Sequence, residues 1–531
     1  MSSSNLINKK LFFIQNKIFF SLLIIGLIGF SLRLCFFDFE IPIHNDALGF
    51  FFYASDASFL GNLPPNYSPA NNGWPAFLSI IFSFFKFEDT LSYMNLQRLT
   101  SIIFSSLTII PLFYLCNRFF AKKYCIVAVC IFAFEPRLIQ NSILGISDPL
   151  YIFLLTSSLA LFLSSSKKLV YFSFIICGLA TLVRSEGLFL FLTLSIIFFI
   201  RFRKDKLIIL KYIFVLSVFV LILFPMALYK IDATGTDNFI MRIFTSASNF
   251  SNDPTENQTN SSLSIITGIE NFPKYLGWDL IPIFIFFVPI GFFMIFKDRT
   301  YQTLLVISSL ILMSLPAFYA YSIPLHETRY FYFLYPLFCI ISLYPIKKII
   351  DKFNNQKIIL LLIIFILLLS VTFLIFKMDV SYQHDAYLIA NYVSKIATGV
   401  NDYSPESIYL ETTDIPSKWN NFNNYFLQER FFNTSIRSMI DHNTILFSVT
   451  NFNSLEDFIS EHKESGLSHL VIDGSNTRSE FLNHVFIFEE EYSFLIKQFD
   501  SKNEGYVYDV KIFKIDYDKF ELFYEKLNEN P

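Results

Sequence analysis

The chain has 531 residues, 53% of them hydrophobic and 19% aromatic, with only 16% charged and a formal net charge of −3; its mean hydropathy is +0.49. These values exclude an ordinary soluble domain and, with repeated apolar runs of about 20 residues, indicate a polytopic α-helical membrane protein. There is no basic footprint of a nucleic-acid-binding protein, and the net charge carries little meaning because a membrane protein sorts charge by side rather than by total.

The first apolar run, Lys17 to Phe37, is longer than a signal-peptide core and no small-residue cleavage site follows it, so a retained helix is expected. Behind it comes an acidic loop from Asp38 to Trp74, DFEIPIHNDALGFFFYASDASFLGNLPPNYSPANNGW, in which Asp38, Glu40, His44, Asp46 and Asp56 stand among aromatic residues. A helix over Asn45 to Leu60 places Asp46, Tyr53 and Asp56 on one face, while Leu48, Phe51, Phe52 and Phe59 point elsewhere. That is the pattern of an interfacial helix with a carboxylate face; the same acids also fit a solvated loop that avoids lipid.

Further spans are expected at Leu91 to Cys116, Tyr124 to Phe134, Pro149 to Leu163, Leu169 to Val183, Gly187 to Ile200, Leu207 to Tyr229, Trp278 to Phe296, Tyr301 to Tyr321, Tyr330 to Ile346 and Ile358 to Phe376. With the first, that makes about 11 spans by the length rule. Lys and Arg gather at every second junction: Lys9, Lys10 and Lys17; Arg118, Lys122 and Lys123; Lys167 and Lys168; Arg201, Arg203, Lys204 and Lys206; Lys297 and Arg299; Lys347, Lys348 and Lys352. These junctions are expected in the cytoplasm, with the N-terminus, which leaves the first loop, the loop Lys230 to Gly277 and everything after Lys377 outside. The N-x-S/T sequons at Asn66, Asn249, Asn257, Asn260 and Asn433 all fall in those outer segments. Cys35, Cys116, Cys125, Cys130, Cys177 and Cys339 lie in or beside spans, as small packing groups, without metal-ligand spacing.

The organisation expected is a membrane domain over 1–376, whose first outer loop at 38–90 carries juxtamembrane helices, and a soluble extracytoplasmic α/β domain over 377–531. In the latter, Ser407 to Thr412, Thr444 to Val449, Leu467 to Asp473 and Tyr506 to Ile515 read as strands, and Asp385 to Ile396 and Ser454 to Ser465 as helices. No Gly-rich nucleotide fingerprint or nucleophile elbow is present there.

The remaining ionisable residues near spans collect at the expected outer ends: Arg98, Glu135, Arg137, Asp148 in GISDPLY, Arg184 and Glu186 in ATLVRSEGLF, and His326, Glu327 and Arg329 in PLHETRYFYFLYP. A charge inside hydrocarbon costs roughly 2.5 to 3.5 kcal/mol on insertion scales, so such residues pair structurally or mark a site. Arginine forks match phosphate oxygens, and a carboxylate such as Asp46 can take the proton of an attacking hydroxyl. The residues therefore suit a reaction between a lipid-borne phosphate and a polar acceptor.

HNDALGFFFYASD, NNGWPAFLSIIFSFF, SDPLY, LATLVRSEG and ETRYFYFLYP together resemble the GT-C superfamily of membrane glycosyltransferases, over roughly the first 376 residues. Within it the pattern is similar to the protein O-mannosyltransferase, lipid A aminoarabinose transferase and RgtA/B/C/D-like branches. The resemblance implies inverting transfer from a polyprenyl-phosphate-linked sugar to a protein, lipid or glycan acceptor outside the membrane, with Asp46 as base and Ala70 to Phe87 as a juxtamembrane helix. Asp56, Arg137, Asp148, Arg184, Glu186, His326 and Arg329 are then the substrate-binding candidates. Asp38 and Glu40 are similar to the metal-binding acids of the oligosaccharyltransferase branch, which leaves a divalent metal open as a cofactor, although the WWDYG-type motif of that branch is absent. The competing reading is a transporter or lipid flippase that uses the same charges along a path; against it, the charges sit at one face and no internal repeat is visible.

Overall fold

The long apolar runs form helices, as a bilayer demands of segments whose backbone groups find no water to bond. The computed structural model describes residues 2–43, 46–61, 71–87, 90–234, 265–323, 327–353, 357–378, 384–385, 388, 422–423, 446–447, 452–464, 467–474, 480–507 and 509–529. The chain divides into two compact units, one of Met1–Phe37, Pro64–Leu78 and Gln97–Met378, the other of Asp38–Leu63, Ser79–Leu96 and Asp379–Pro531. All five sequons, the strand expected at Ser407 to Thr412 and most of the helix expected at Asp385 to Ile396 lie outside the described residues.

In chain order the first helices are α1 (Ser2–Cys35), α2 (Asp46–Leu60), α3 (Gly73–Ser83), α4 (Thr90–Leu107), α5 (Ile109–Cys116), α6 (Lys122–Ala133), α7 (Pro136–Ile143), α8 (Asp148–Phe162), α9 (Lys167–Val183), α10 (Gly187–Arg201) and α11 (Ile208–Thr234). Helices Ile265–Asp279, Phe287–Ile295 and Tyr301–Ser322 follow, then a 3-10 turn at Thr328–Leu334 and helices Tyr335–Phe353 and Lys357–Lys377.

Among the described residues, Ile18–Cys35, Leu91–Cys116, Ile208–Asp232, Tyr301–Ser322, Thr328–Phe353 and Lys357–Lys377 are each long and apolar enough to cross a membrane, and α6 with α7, bent by 50°, forms a seventh span if the two act as one. The protein is accordingly multi-pass. Three of the expected spans, α8, α9 and α10, have only 15 to 17 residues and rise about 22 to 26 Å, short of a roughly 30 Å core.

Local chemistry moves other boundaries too. Pro136 cannot continue α6 because it lacks an N–H and its ring meets the preceding turn, so α6 ends at Ala133, close to the end of the expected span Tyr124 to Phe134, and α7, a helix outside the sequence expectation, begins at Pro136. The expected eighth span, Trp278 to Phe296, is split, with one helix beginning at Ile265 inside what reads as a loop and another beginning only at Phe287. Pro282 lies in that break, where no helical N–H is required of it.

Small and buried residues hold the bundle together. Gly73 and Gly187 sit where an added Cβ would come within 2.6 Å of the Leu182 backbone and 2.7 Å of the Thr181 backbone, which lets α3 and the Arg184 turn lie directly on the end of α9. Arg33, although inside α1, is closed off by hydrogen bonds from its guanidinium to Ser105 Oγ (2.9 Å), Gly29 O (2.8 Å) and Ala133 O (3.0 Å). Five of the six cysteines are buried and all six are free thiols.

The other unit contains a five-stranded sheet in the order β2-β1-β3-β5-β4, with β1 (Phe422–Asn423) parallel to β2 (Leu446–Phe447) and to β3 (His469–Asp473). β5 (Val510–Ile515) runs antiparallel to β3 and to β4 (Leu495–Asp500). Leu455, Phe458, Leu470, Ile472, Phe494 and Phe513 fill one core beneath it, and Ser454 caps helix Leu455–His462 by accepting from the Asp457 N–H at 3.1 Å. Strand β4 and the helices Glu480–Ile487 and Tyr517–Glu529 are absent from the sequence expectation. LIKQFD mixes polar residues on a strand whose burial does not alternate, so periodicity conceals it.

Candidate functional site

Within the membrane unit, the turn between α7 and α8 and the turn between α9 and α10 bring charged residues together. Gly145 adopts φ +76°, a left-handed conformation open to glycine, and its carbonyl accepts from Gln97 Nε2 (2.8 Å) and from the indole N–H of the fully buried Trp74 (3.3 Å). That clasp ends α7 and lets Asp148 open α8, followed by a proline at a position that needs no hydrogen bond. Arg184, at the end of α9, is ion-paired to Asp148 and, at 2.6 Å, to Glu186. Asn141 Nδ2 donates to the second Asp148 oxygen at 3.0 Å.

This trio carries a net charge of minus one when ionised, and its side chains are 16%, 6% and 12% exposed for Arg184, Asp148 and Glu186, so their attraction is weakly screened. Arg184 also lies 6.0 Å from the centroid of the buried Tyr151 ring, which packs edge-on against Phe333 of the Thr328–Leu334 turn. The same turn bears Arg329, whose Nε is 2.5 Å from Glu327 Oε2. Tyr321 donates its hydroxyl to the Glu327 carbonyl at 2.8 Å, anchoring the turn from the preceding helix. His326 lies outside the described residues.

Arg137 takes a different position from its neighbours. Its guanidinium donates to the carbonyls of Trp278 (2.6 Å) and Ile281 (3.2 Å), the groups exposed by the break after helix Ile265–Asp279. The structural ion pair with Glu135 allowed by the sequence does not form: the Arg137 guanidinium is drawn to those carbonyls, and neither Glu135 oxygen has a hydrogen-bond partner among the described residues. Asp279, fully buried in the same neighbourhood, accepts from the Tyr335 hydroxyl at 3.0 Å. Sequence reading misses both Asp279 and Asn141. Asp279 stands beside Trp278 at an expected span boundary and looks like an interfacial charge, while Asn141 lies in a stretch not expected to be helical.

In the other unit, α2 begins at Asp46, which is exposed, but the rest of the helix departs from the expected carboxylate face. Tyr53 and Asp56 are 0% and 1% exposed, and so are Phe51 at 1% and Leu48 at 6% on the other side. The helix is packed on most of its circumference, with Phe51 against Phe82 (centroids 5.8 Å apart) and Phe82 edge-on to Tyr93 (5.4 Å). A helix covered on opposite sides, its Asp56 included, is packed in the protein rather than interfacial.

Asp38 accepts from the Glu40 backbone N–H at 2.8 Å, a turn-forming role, and Glu40 is 3.1 Å from His384 Nε2. Among the described residues no three His, Cys, Asp or Glu side chains converge as a metal site would need. Asp38 and Glu40 therefore do not by themselves make a cation cage.

No family model matches the chain, and no curated relative does. Among solved structures, the chain resembles the oligosaccharyltransferase of Archaeoglobus fulgidus in complex with zinc and sulfate, with TM-score 0.56 and 13% identity over 85% of this chain and 68% of that one. The oligosaccharyltransferase AglB of the same organism, in complex with an inhibitory peptide and a dolichol-phosphate, gives TM-score 0.53 at 12% identity over 85% and 69%. ArnT from Cupriavidus metallidurans bound to undecaprenyl phosphate gives TM-score 0.53 at 10% identity, over 93% of this chain and 97% of that one. At these identities the likeness shows a shared fold and nothing more.

Proposed function

We propose that the protein is an inverting glycosyltransferase that moves a sugar from a polyprenyl-phosphate-linked donor to a protein, lipid or glycan acceptor at the outer face of the membrane. The observation that carries this reading is the likeness along nearly the whole chain to ArnT, whose structure holds undecaprenyl phosphate. In the reaction, an acceptor hydroxyl loses its proton to the Asp46 carboxylate as its oxygen attacks the anomeric carbon, and the bond from that carbon to the phosphate oxygen breaks. The lipid phosphate leaves with the electron pair, and attack opposite the leaving group inverts the sugar. Asp46 suits the base because it is exposed while the helix it begins is packed in place.

Arg329 is the residue we assign to the leaving phosphate, and His326, three positions earlier in the sequence, is assigned to the same substrate. Arg137, whose donors are already turned to backbone carbonyls, would add positive field rather than a direct fork. Arg184 acts in this proposal by aligning Asp148 and Glu186, whose remaining lone pairs would accept from sugar hydroxyls. Asp56 is assigned a positioning role because it is buried midway along α2. Reconstituted protein supplied with polyprenyl-phosphate sugars should release the free polyprenyl phosphate in step with sugar transfer. Translocation of the intact lipid between leaflets without bond cleavage would instead favour a flippase.

A further inference from the structure

The end of the membrane unit opposite Asp148 and Arg184 carries a feature that sugar transfer does not use. Between α5 and α8 runs an apolar groove of about 600 Å3, lined by Ile110 and Tyr114 on one side and by Phe153, Ser157 and Ala160 on the other, with Arg118 at its end. Ser157 and Ala160 leave room because they are small, and the Ser157 hydroxyl is turned back onto the Phe153 carbonyl at 2.7 Å, so Ser157 presents no unsatisfied donor to the groove. From Phe153 to the end of α8 at Phe162 the helix rises about 14 Å, close to one leaflet of a roughly 30 Å hydrocarbon core. Tyr114 and Ile110 are 58% and 45% exposed, so the groove opens sideways.

Arg118 distinguishes this groove from ordinary lipid-facing surface. Its Nε is buried and has no hydrogen-bond partner among the described residues. Two carboxylates at this end are engaged elsewhere: Asp205 by Lys211 and, at 3.8 Å, Lys167; Asp351 by Tyr124 and, at 3.8 Å, Lys123. Arg201, which donates to the Phe162 and Ser164 carbonyls at the end of α8, adds a second guanidinium within electrostatic reach of Arg118. An unanswered guanidinium at the mouth of an acyl-sized apolar channel calls for an anion attached to a hydrocarbon chain.

We propose that this groove binds an anionic phospholipid, one acyl chain lying between α5 and α8 and the phosphate set against Arg118. The site is separate from the sugar-transfer residues and does not depend on the reading of the reaction. The test is native mass spectrometry of the purified full chain in detergent, titrated with phosphatidylglycerol or with phosphatidylcholine of the same acyl chains. The wild type should retain phosphatidylglycerol in preference. Arg118→Gln, which breaks no native hydrogen bond, should lower that retention about fivefold or more, and Arg118→Lys should keep most of it. Ala160→Leu, which fills the channel, should lower retention of both lipids. Equal retention of the two lipids by the wild type overturns the proposal, and so does unchanged phosphatidylglycerol retention in both Arg118→Gln and Ala160→Leu.

Discussion

Arg184 and Asp148, 36 residues apart in the chain, form an ion pair that joins the start of α8 to the end of α9, and Glu186 closes the other side of the guanidinium. Removing the cation leaves two mostly buried carboxylates facing each other, which is worse than losing a contact. Arg184→Gln should therefore destabilise the protein by about 3 to 5 kcal/mol, whereas Asp148→Asn, which leaves Arg184 with Glu186, should cost clearly less. The combined Asp148→Asn/Arg184→Gln protein should recover part of the loss, as residues in one network do. Thermal unfolding in detergent reads this, and an additive double mutant would show that the pair is not coupled.

Asp46 and Arg329 should fail in different ways. Asp46→Asn keeps the size of the side chain but not the base, so turnover should fall by on the order of 100-fold or more while donor binding survives. Arg329→Ala should weaken donor binding by about 1.5 to 3 kcal/mol, the worth of a charge-assisted hydrogen bond. Glu327→Gln serves as the control, because it removes the partner of Arg329 without touching the phosphate hook. Normal turnover in Asp46→Asn would end the assignment of the base.

Gly145 has two demands on it, and a second glycine separates them. At φ +76° any L side chain is strained by about 1 to 2 kcal/mol, and a Cβ at this position lies 3.2 Å from Arg98 Cγ and 3.3 Å from Gln97 Cγ. Gly61 has φ +70° with nothing near its Cβ position. Gly145→Ala should thus lower the melting temperature more than Gly61→Ala, and it should also lower turnover, because it shifts the turn that sets Asp148. Equal effects of the two substitutions would mean that the clasp from Gln97 and Trp74 contributes nothing.

From the basic junctions we propose that the N-terminus and Lys122 lie in the cytoplasm and the residues after Lys377 outside. Single cysteines introduced at Lys122 and at Lys502 into a protein stripped of its native cysteines should react with a membrane-impermeant maleimide from opposite sides of sealed vesicles. Labelling of both from the same side would reverse or destroy the proposed orientation, and with it the outer-face reaction.

Some of this architecture was legible in the residues alone, because the signals involved are local. Twenty apolar residues in a row have one stable answer in a bilayer, and Lys or Arg at alternate junctions marks the ends that gather together. Lys123 lies 3.8 Å from Asp351 and Lys167 lies 3.8 Å from Asp205, so basic residues of one junction meet an acid of another in each case. The helix beginning at Asp46 was equally legible, to within a residue. What the residues could not disclose is what touches them. Tyr53 and Asp56 share a face by periodicity, yet only packing decides whether that face meets water or protein, and it is buried. Glu135 and Arg137 look like a pair in the sequence and are not one, since Arg137 answers the carbonyls freed by a helix break some 140 residues later. Asp279 acquires significance only because Tyr335, far along the chain, reaches it. Hydrophobic runs encode where a helix lies; the partner of a buried charge is a long-range contact, and only the tertiary structure can choose it.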